Sequence, residues 1–158
     1  MWNQRRIEPT GNGDYVLRLP EEERELLRFL PDELRSLLEV MPGDPALRRL
    51  FPRAYEDEQD EAGYRELMGN ELAEGRNRAL QVLSETARAE RLTDEQAQAW
   101  LTALNDLRLV LGTRLDVTDE SLLEGLTEND PRAVELALYA YLSWLQEQVV
   151  EALSAGLS

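Results

Sequence analysis

The sequence predicts an all-α fold, in which a single helical bundle carries a β-hairpin at its N-terminal end. Apolar residues recur at helical spacing through most of residues 21–158, whereas the alternation that is typical of a strand is confined to residues 1–19. A chain of 158 residues is long enough to bury a core, and no linker or internal repeat divides it. We therefore predict one domain over residues 1–158, with the hairpin at 1–19 and the bundle at 21–158.

The hairpin is predicted from two extended segments, Met1–Pro9 and Asp14–Leu19, on either side of a Thr10–Gly13 turn. Glycine at two of the turn positions permits the backbone conformations that tight hairpins need. An isolated two-stranded hairpin is only marginally stable in water. We therefore expect this one to pack on the helices or to pair with another chain.

The first half of the bundle is predicted as one or two helices over residues 21–41 and a long helix over Ala62–Glu90. Proline lacks the amide hydrogen that a helix interior requires, so Pro31 predicts either two short helices or one helix with a kink. An Asp-Pro pair at residues 44–45 indicates the start of a short helical segment that runs through Phe51, between these two helical regions.

The second half of the bundle is predicted from its capping signals. Thr93 and Gln96 have the spacing of a capping box, and they begin a helix that Gly112 is expected to end. An Asp-Pro pair at 130–131 begins the last helix, which we expect to reach Leu153. The core-facing stripe of that helix is predicted to contain Val134, Ala137, Tyr141 and Leu145.

The composition excludes most catalytic chemistry. The chain contains no histidine, cysteine or lysine, so its 17 basic residues are all arginine. Without imidazole, thiolate or amine side chains, it lacks the usual general base, thiol nucleophile and Schiff-base amine. We therefore predict that the protein is not an enzyme and binds no cofactor.

The charge balance predicts the location and the kind of partner. Acidic residues outnumber basic ones by 32 to 17, which gives a net charge of −15 and favours basic partners. The sequence shows neither a signal-peptide pattern nor an apolar run of about 20 residues. We therefore expect a cytoplasmic protein that does not enter a membrane.

Three arginines are predicted to lie on apolar helix faces. Arg65 and Arg76 follow the apolar stripe of the long helix, and Arg108 lies within the stripe of the helix after Thr93. A guanidinium that faces a core needs carboxylates, carbonyls or a bound anion as partners. Three interpretations remain open: ion pairs within the bundle, convergence on an anionic ligand, or side chains that extend to solvent. For Arg108 we expect burial and a carboxylate partner.

Two helices are apolar on more than one side. Leu109 lies beside Asp106 on the face opposite the main stripe of its helix, and Tyr139 lies off the stripe of the last helix. A helix that is apolar on two sides is either central in a bundle or exposed to a partner. Central packing, self-association and a partner surface that includes Leu109 and Tyr139 therefore all remain open.

One short motif indicates a metal site. Glu71-Leu-Ala-Glu74 has the spacing that lets two carboxylates share Mg²⁺ in the all-helical nucleotide pyrophosphatases, and oxygen ligands suffice for that ion. However, no second acidic pair faces Glu71 and Glu74 convincingly, and the spacing is common in acidic helices. We therefore predict no metal site, and keep a magnesium-dependent all-helical nucleotide hydrolase as the alternative function.

Charge also disfavours unaided DNA binding. Residues 115–158 contain nine acidic residues and one arginine, a net charge of −8 that DNA phosphates repel. Arg48, Arg49 and Arg53 lie in a basic window, Pro45–Tyr55, that contains no acidic residue. That window is either a solvated short helix or a surface for nucleic acid or an acidic partner. We expect direct DNA binding to be weak or absent.

The segment Trp100–Leu115, with the sequence WLTALNDLRLVLGTRL, resembles an actinobacterial family of small acidic helical proteins. That family was catalogued as a domain of unknown function and then labelled oxidative-stress transcriptional regulators of the AosR type. Tyr64–Leu67 and the closing apolar helix are similar to it as well. The most specific stretch is 105–115, with the motif residues Asn105, Asp106, Arg108, Gly112 and Arg114.

The resemblance implies a cytoplasmic transcription regulator that responds to oxidants through contacts with a sigma factor or RNA polymerase. It also implies a thiol switch, which these 158 residues cannot form because they include no cysteine. Together with the charge, this predicts regulation through contacts with a basic protein. A homodimer remains open.

Overall fold

The structure is a computed structural model, and it describes residues 5–40, 74–115 and 133–156. Within these ranges it shows the predicted mostly helical fold, with four helices and a small antiparallel sheet. The helices are α1 (Glu21–Val40), α2 (74–86), α3 (Asp94–Leu115) and α4 (Ala133–Gly156). The strands are β1 (Ile7–Pro9), β2 (Asp14–Leu17) and β3 (Arg91–Thr93).

The predicted hairpin is confirmed, and a third strand extends it. β2 lies between β1 and β3 and is antiparallel to both, with Ile7 opposite Leu17. Gly11 and Gly13 in the turn have φ values of +91° and +90°, which side chains other than glycine rarely permit. Ile7, Tyr15 and Leu17 belong to the same apolar core as the helices. The hairpin is therefore stabilised by packing within its own chain.

α1 is one continuous helix that passes through Pro31, which decides between the two alternatives that the sequence leaves. Pro31 is buried, as are Leu27 and Leu34, at 0% and 4% exposure. Apolar packing of this face offsets the backbone hydrogen bond that proline cannot donate. Acidic residues in the first turn, Glu21–Glu23, add a favourable interaction with the helix dipole.

The segment after α2 departs from the prediction. The sequence predicts a helix that continues to Glu90, but α2 ends at residue 86 and the chain turns into β3. Arg24 of α1 explains this early end, because its guanidinium donates to the carbonyl oxygens of Ala87 at 3.0 Å and Ala89 at 2.8 Å. These carbonyls are thereby satisfied outside a helix.

α3 begins with the predicted capping box. The amide of Gln96 donates to Oγ1 of Thr93 at 3.1 Å, and the amide of Thr93 donates to Oε1 of Gln96 at 2.9 Å. The predicted end at Gly112 is wrong, since α3 continues to Leu115 with Gly112 buried inside it. Tertiary packing of that face overrides the low helix propensity of glycine.

α3 is covered on both of its apolar sides. Trp100 and Leu104 of the main stripe are fully buried, and Ala103 and Val110 of the opposite side are buried as well. Leu109 is partly buried against the same core. This burial favours central packing of the helix, and a partner surface that includes Leu109 stays a prediction.

α4 buries a different stripe from the predicted one. Tyr141 and Leu145 are buried as expected, but Val134 is 83% exposed and Ala137 is also exposed. The helix is apolar over most of its circumference, so spacing alone does not select the face that its neighbours cover. Despite that apolar character, none of the described helices could span a membrane. The residues of α4 that are buried are Leu136, Tyr141, Leu142, Leu145, Val149 and Ala152.

Candidate functional site

The motif segment of α3 contains a buried ion pair with α2. Asp106 is 2% exposed, and its Oδ1 atom lies 2.6 Å from Nη1 of Arg76. Burial raises the pKa of the Asp106 carboxyl above its ordinary value, and the Arg76 guanidinium opposes that shift. The Arg76 guanidinium therefore helps to keep the buried Asp106 carboxyl ionised. Of the three interpretations of the apolar-face arginines, an ion pair within the bundle is the one that the structure shows for Arg76.

Arg108 does not have the environment that the sequence predicts. Its side chain is half-buried, and Nη2 donates to the amide oxygen of Asn105 at 3.2 Å. Nε2 of Gln146 in α4 donates to the same oxygen at 3.4 Å. No carboxylate among the described residues pairs with Arg108, so the expected carboxylate partner is not found in that part of the chain and stays a prediction. Asp106 and Arg108 are two positions apart and point about 200° apart on the helix, so they face different neighbours.

The polar contact between α3 and α4 has unused hydrogen-bonding capacity. Within the described residues, Nε of Arg108, Oε1 of Gln146 and Oγ of Ser143 are buried without a hydrogen-bond partner. Buried atoms of this kind usually bind water or a polar ligand. Convergence of Arg76 and Arg108 with Arg65 on an anion stays a prediction, because Arg65 lies outside the described residues.

A second buried network joins the N-terminal strand to two helices. Arg6 is 3% exposed, and its Nε and Nη2 atoms donate to the two carboxylate oxygens of Glu23, each at 3.0 Å. The hydroxyl of Tyr141 donates to the same carboxylate at 2.7 Å, and the Arg6 guanidinium lies 5.2 Å from the ring centre of Trp144. Burial, with the Glu23 carboxylate, raises the pKa of Tyr141, which keeps its hydroxyl protonated. No local pattern in the sequence identifies this network, because its members come from separate elements.

Several predicted site residues cannot be placed. Glu74 is described and exposed, but its expected partner in a magnesium site is not among the described residues, so that site stays untested. In residues 5–40, 74–115 and 133–156, no group of three or more acidic side chains could hold a metal ion. Arg114 belongs to α3, although its side chain is not described. The predicted residues that lie outside the described ranges are Arg48, Arg49, Arg53, Arg65 and Glu71.

The exposed apolar side chains are not those that the sequence singles out. Leu109 and Tyr139, the predicted partner surface, are both half-buried. By contrast, Phe29 of α1 is 57% exposed, Val134 of α4 is 83% exposed and Val150 is 42% exposed. Phe29 lies in a strongly acidic helix, and the sequence pattern of that helix does not indicate that this ring is exposed.

An apolar groove lies between α1, α3 and α4, and we name it the α1–α3–α4 groove. Its volume is about 400 Å³, and its wall consists of leucine and valine side chains from all three helices, among them Leu34, Val110 and Leu142. Glu33 and Ser36 of α1 are the polar residues among the described side chains that line it. The groove can therefore accept apolar groups, with one carboxylate at its rim.

The chain matches known proteins over most of its length. The model of a family described as a domain of unknown function, DUF2017, matches residues 4–153. The oxidative stress regulator AosR of Mycobacterium tuberculosis (strain ATCC 25618 / H37Rv) is 37% identical over 128 residues, which are 69% of this chain and 58% of that protein. The oxidative stress regulator AosR of Mycobacterium bovis is also 37% identical over 128 residues.

The chain spans less than two thirds of the length of these relatives, since the match covers 58% of each. No solved structure matches the chain at a significant level. Because the family model covers nearly all of its residues, the chain belongs to the DUF2017 family.

Proposed function

We propose that this chain is a regulator in the response to oxidative stress, and that it acts in the cytoplasm through contacts with a basic protein. By resemblance, that partner is a sigma factor or another component of RNA polymerase. The observation that carries the proposal is the 37% identity to proteins named oxidative stress regulator AosR, over 69% of this chain. The lack of histidine, cysteine and lysine supports a role other than catalysis.

Charge supports protein contacts over DNA contacts. The net charge of the chain is −15, and α1 exposes the carboxylates of Glu21, Glu22, Asp32 and Glu33. A surface of this sign attracts basic proteins and repels the phosphates of nucleic acid. The described arginines are largely engaged within the molecule, as the pairs formed by Arg6 and Arg76 illustrate. The contact with transcription machinery is therefore expected to be a contact with protein.

A thiol switch cannot be built from the residues of this chain alone. These 158 residues contain no cysteine, so no disulfide can form among them. We therefore assign to this chain the transmission of the signal through its protein contact, and not its detection by thiol chemistry.

Affinity capture tests the proposal. The full chain is immobilised through a terminal tag, incubated with native cytoplasm either with or without nuclease treatment, and washed at increasing salt before mass spectrometry. We expect a basic protein of the transcription machinery to be retained and then released as salt rises, because the screening length falls from about 8 Å at 0.15 M to about 3 Å at 1 M. Retention of no such protein, or retention that nuclease abolishes, would contradict the proposal.

A further inference from the structure

We propose that the α1–α3–α4 groove is the docking site for an amphipathic segment of the basic partner, with apolar side chains in the groove and a basic side chain paired with Glu33. This inference rests on the proposed function, since it assigns the place at which the partner binds. Grooves of this kind accept an amphipathic helix through apolar side chains spaced three or four residues apart.

The groove has the size and the wall that such a segment needs. Its volume of about 400 Å³ lies within the range of pockets that bind ligands in proteins. Leu34, Leu107 and Leu142 are at most 7% exposed, so the wall is held by the core and does not depend on a mobile surface. A preformed apolar wall reduces the entropy that binding loses.

The rim of the groove determines the charge of its occupant. Glu33 is exposed, and it has no ion-pair partner in the part of the chain that the structure describes. Phe29 lies one helical turn before Glu33 and is 57% exposed, so it extends the apolar surface beside that carboxylate. No described lining residue is basic. A basic side chain beside apolar ones is therefore the complementary occupant.

Two other occupants fit the same surface less well. A second copy of this chain would bring another molecule with a net charge of −15 against an acidic rim. An anionic amphiphile would place its head group near Glu33, with no described basic side chain in the lining to bind it. Charge complementarity thus favours a basic partner over both.

The test uses the full chain and two synthetic helical peptides of about 16 residues. Both peptides carry the same leucine stripe, and they differ in having arginine or glutamate at the flanking positions. Fluorescence anisotropy measures their dissociation constants at 0.15 M salt. Glu33→Arg reverses the rim charge, and Glu147→Arg makes the same change at an exposed position of α4 that does not line the groove.

A second pair of variants tests the volume of the groove. Ser36→Trp places a large ring at the exposed rim of the groove, and Ser154→Trp places the same ring on an exposed position near the end of α4. Circular dichroism and the thermal midpoint establish that each variant is folded. Sedimentation of each variant reports whether a second copy occupies the groove.

We expect the arginine peptide to bind at least about tenfold more tightly than the glutamate peptide, with Glu33→Arg and Ser36→Trp each weakening it by about tenfold or more. Glu147→Arg and Ser154→Trp should leave it within about twofold. Equal affinities for the two peptides, no binding, or insensitivity to Glu33→Arg would overturn the assignment. A dimer that Ser36→Trp dissociates would overturn it in favour of self-association.

The groove and the proposed function can fail separately. If wild type and Ser36→Trp capture the same basic protein equally well, the groove is not the docking site, although the proposed function stands. If neither captures a basic protein, the proposed function fails, and the peptide titration still decides whether the groove binds a basic amphipathic helix.

Discussion

The buried pair between Arg76 and Asp106 allows a prediction whose size follows from the structure. In Arg76→Met the Asp106 carboxylate loses the cation 2.6 Å away while remaining 2% exposed. Loss of one partner from a buried pair typically costs about 3–5 kcal/mol. With a urea m-value of about 2 kcal/mol per M, the unfolding midpoint at pH 7 should fall by about 2 M.

The same variant should show a diagnostic pH dependence. Burial raises the pKa of Asp106, and Arg76 is what opposes the shift, so the pKa should rise further in Arg76→Met. A carboxyl whose pKa is higher in the folded than in the unfolded state binds more protons when folded. It therefore lowers the free energy of unfolding by its largest amount at pH values above the folded pKa. The effect diminishes as pH falls through that pKa towards the ordinary value. The stability gap between variant and parent should therefore be smaller at pH 5 than at pH 7.

Urea unfolding followed by circular dichroism measures both effects. Arg78→Met is the matched control, because Arg78 is an exposed arginine of the same helix and should change the midpoint little. The double variant Arg76→Met with Asp106→Leu removes both charges and should be more stable than Arg76→Met alone. If Arg76→Met unfolds at the parental midpoint, or if Arg78→Met costs as much, the pair does not stabilise the bundle as described.

Four further outcomes are expected. An added Cβ at Gly156 would lie 2.5 Å from the hydroxyl oxygen of Tyr15, so Gly156→Ala should destabilise by about 1–2 kcal/mol. Gly75→Ala in α2, where nothing lies within 4 Å of the added atom, should instead stabilise by up to about 1 kcal/mol, and thermal unfolding distinguishes the two signs. Arg24→Gln should cost about 2–4 kcal/mol in urea unfolding, because Arg24 donates to four backbone carbonyls, and a cost near zero would refute that role. Calorimetric titration with Mg²⁺ should give no saturable heat, whereas a micromolar site that is lost in Glu71→Gln would favour the magnesium-dependent hydrolase.

Local signals predicted the elements whose causes are local. Alternation and two glycines predicted the hairpin, and the spacing of Thr93 and Gln96 predicted the start of α3. The predicted end of α2 is wrong because Arg24, more than sixty residues earlier in the chain, donates to the carbonyl oxygens of Ala87 and Ala89. The periodicity of apolar residues does not indicate hydrogen bonds between residues so far apart in the sequence.

The buried polar contacts were harder to predict because they depend on which helix faces meet. The sequence placed Arg76 and Arg108 on apolar faces, yet the structure pairs Arg76 with Asp106 and bonds Arg108 to Asn105. The network of Arg6 with Glu23 combines residues with no common local pattern. Abundant acidic residues made a carboxylate partner plausible for every arginine, so composition could not select among them.

We propose that this chain regulates through contacts with protein and does not bind DNA itself. The most direct measurement is fluorescence anisotropy of labelled duplex DNA, both random and promoter-derived, titrated with the purified full chain at 0.15 M salt. The net charge of −15 predicts a dissociation constant of about 10⁻⁴ M or weaker, with no preference between the two duplexes. Nanomolar, sequence-specific binding by the protein alone would contradict the claim.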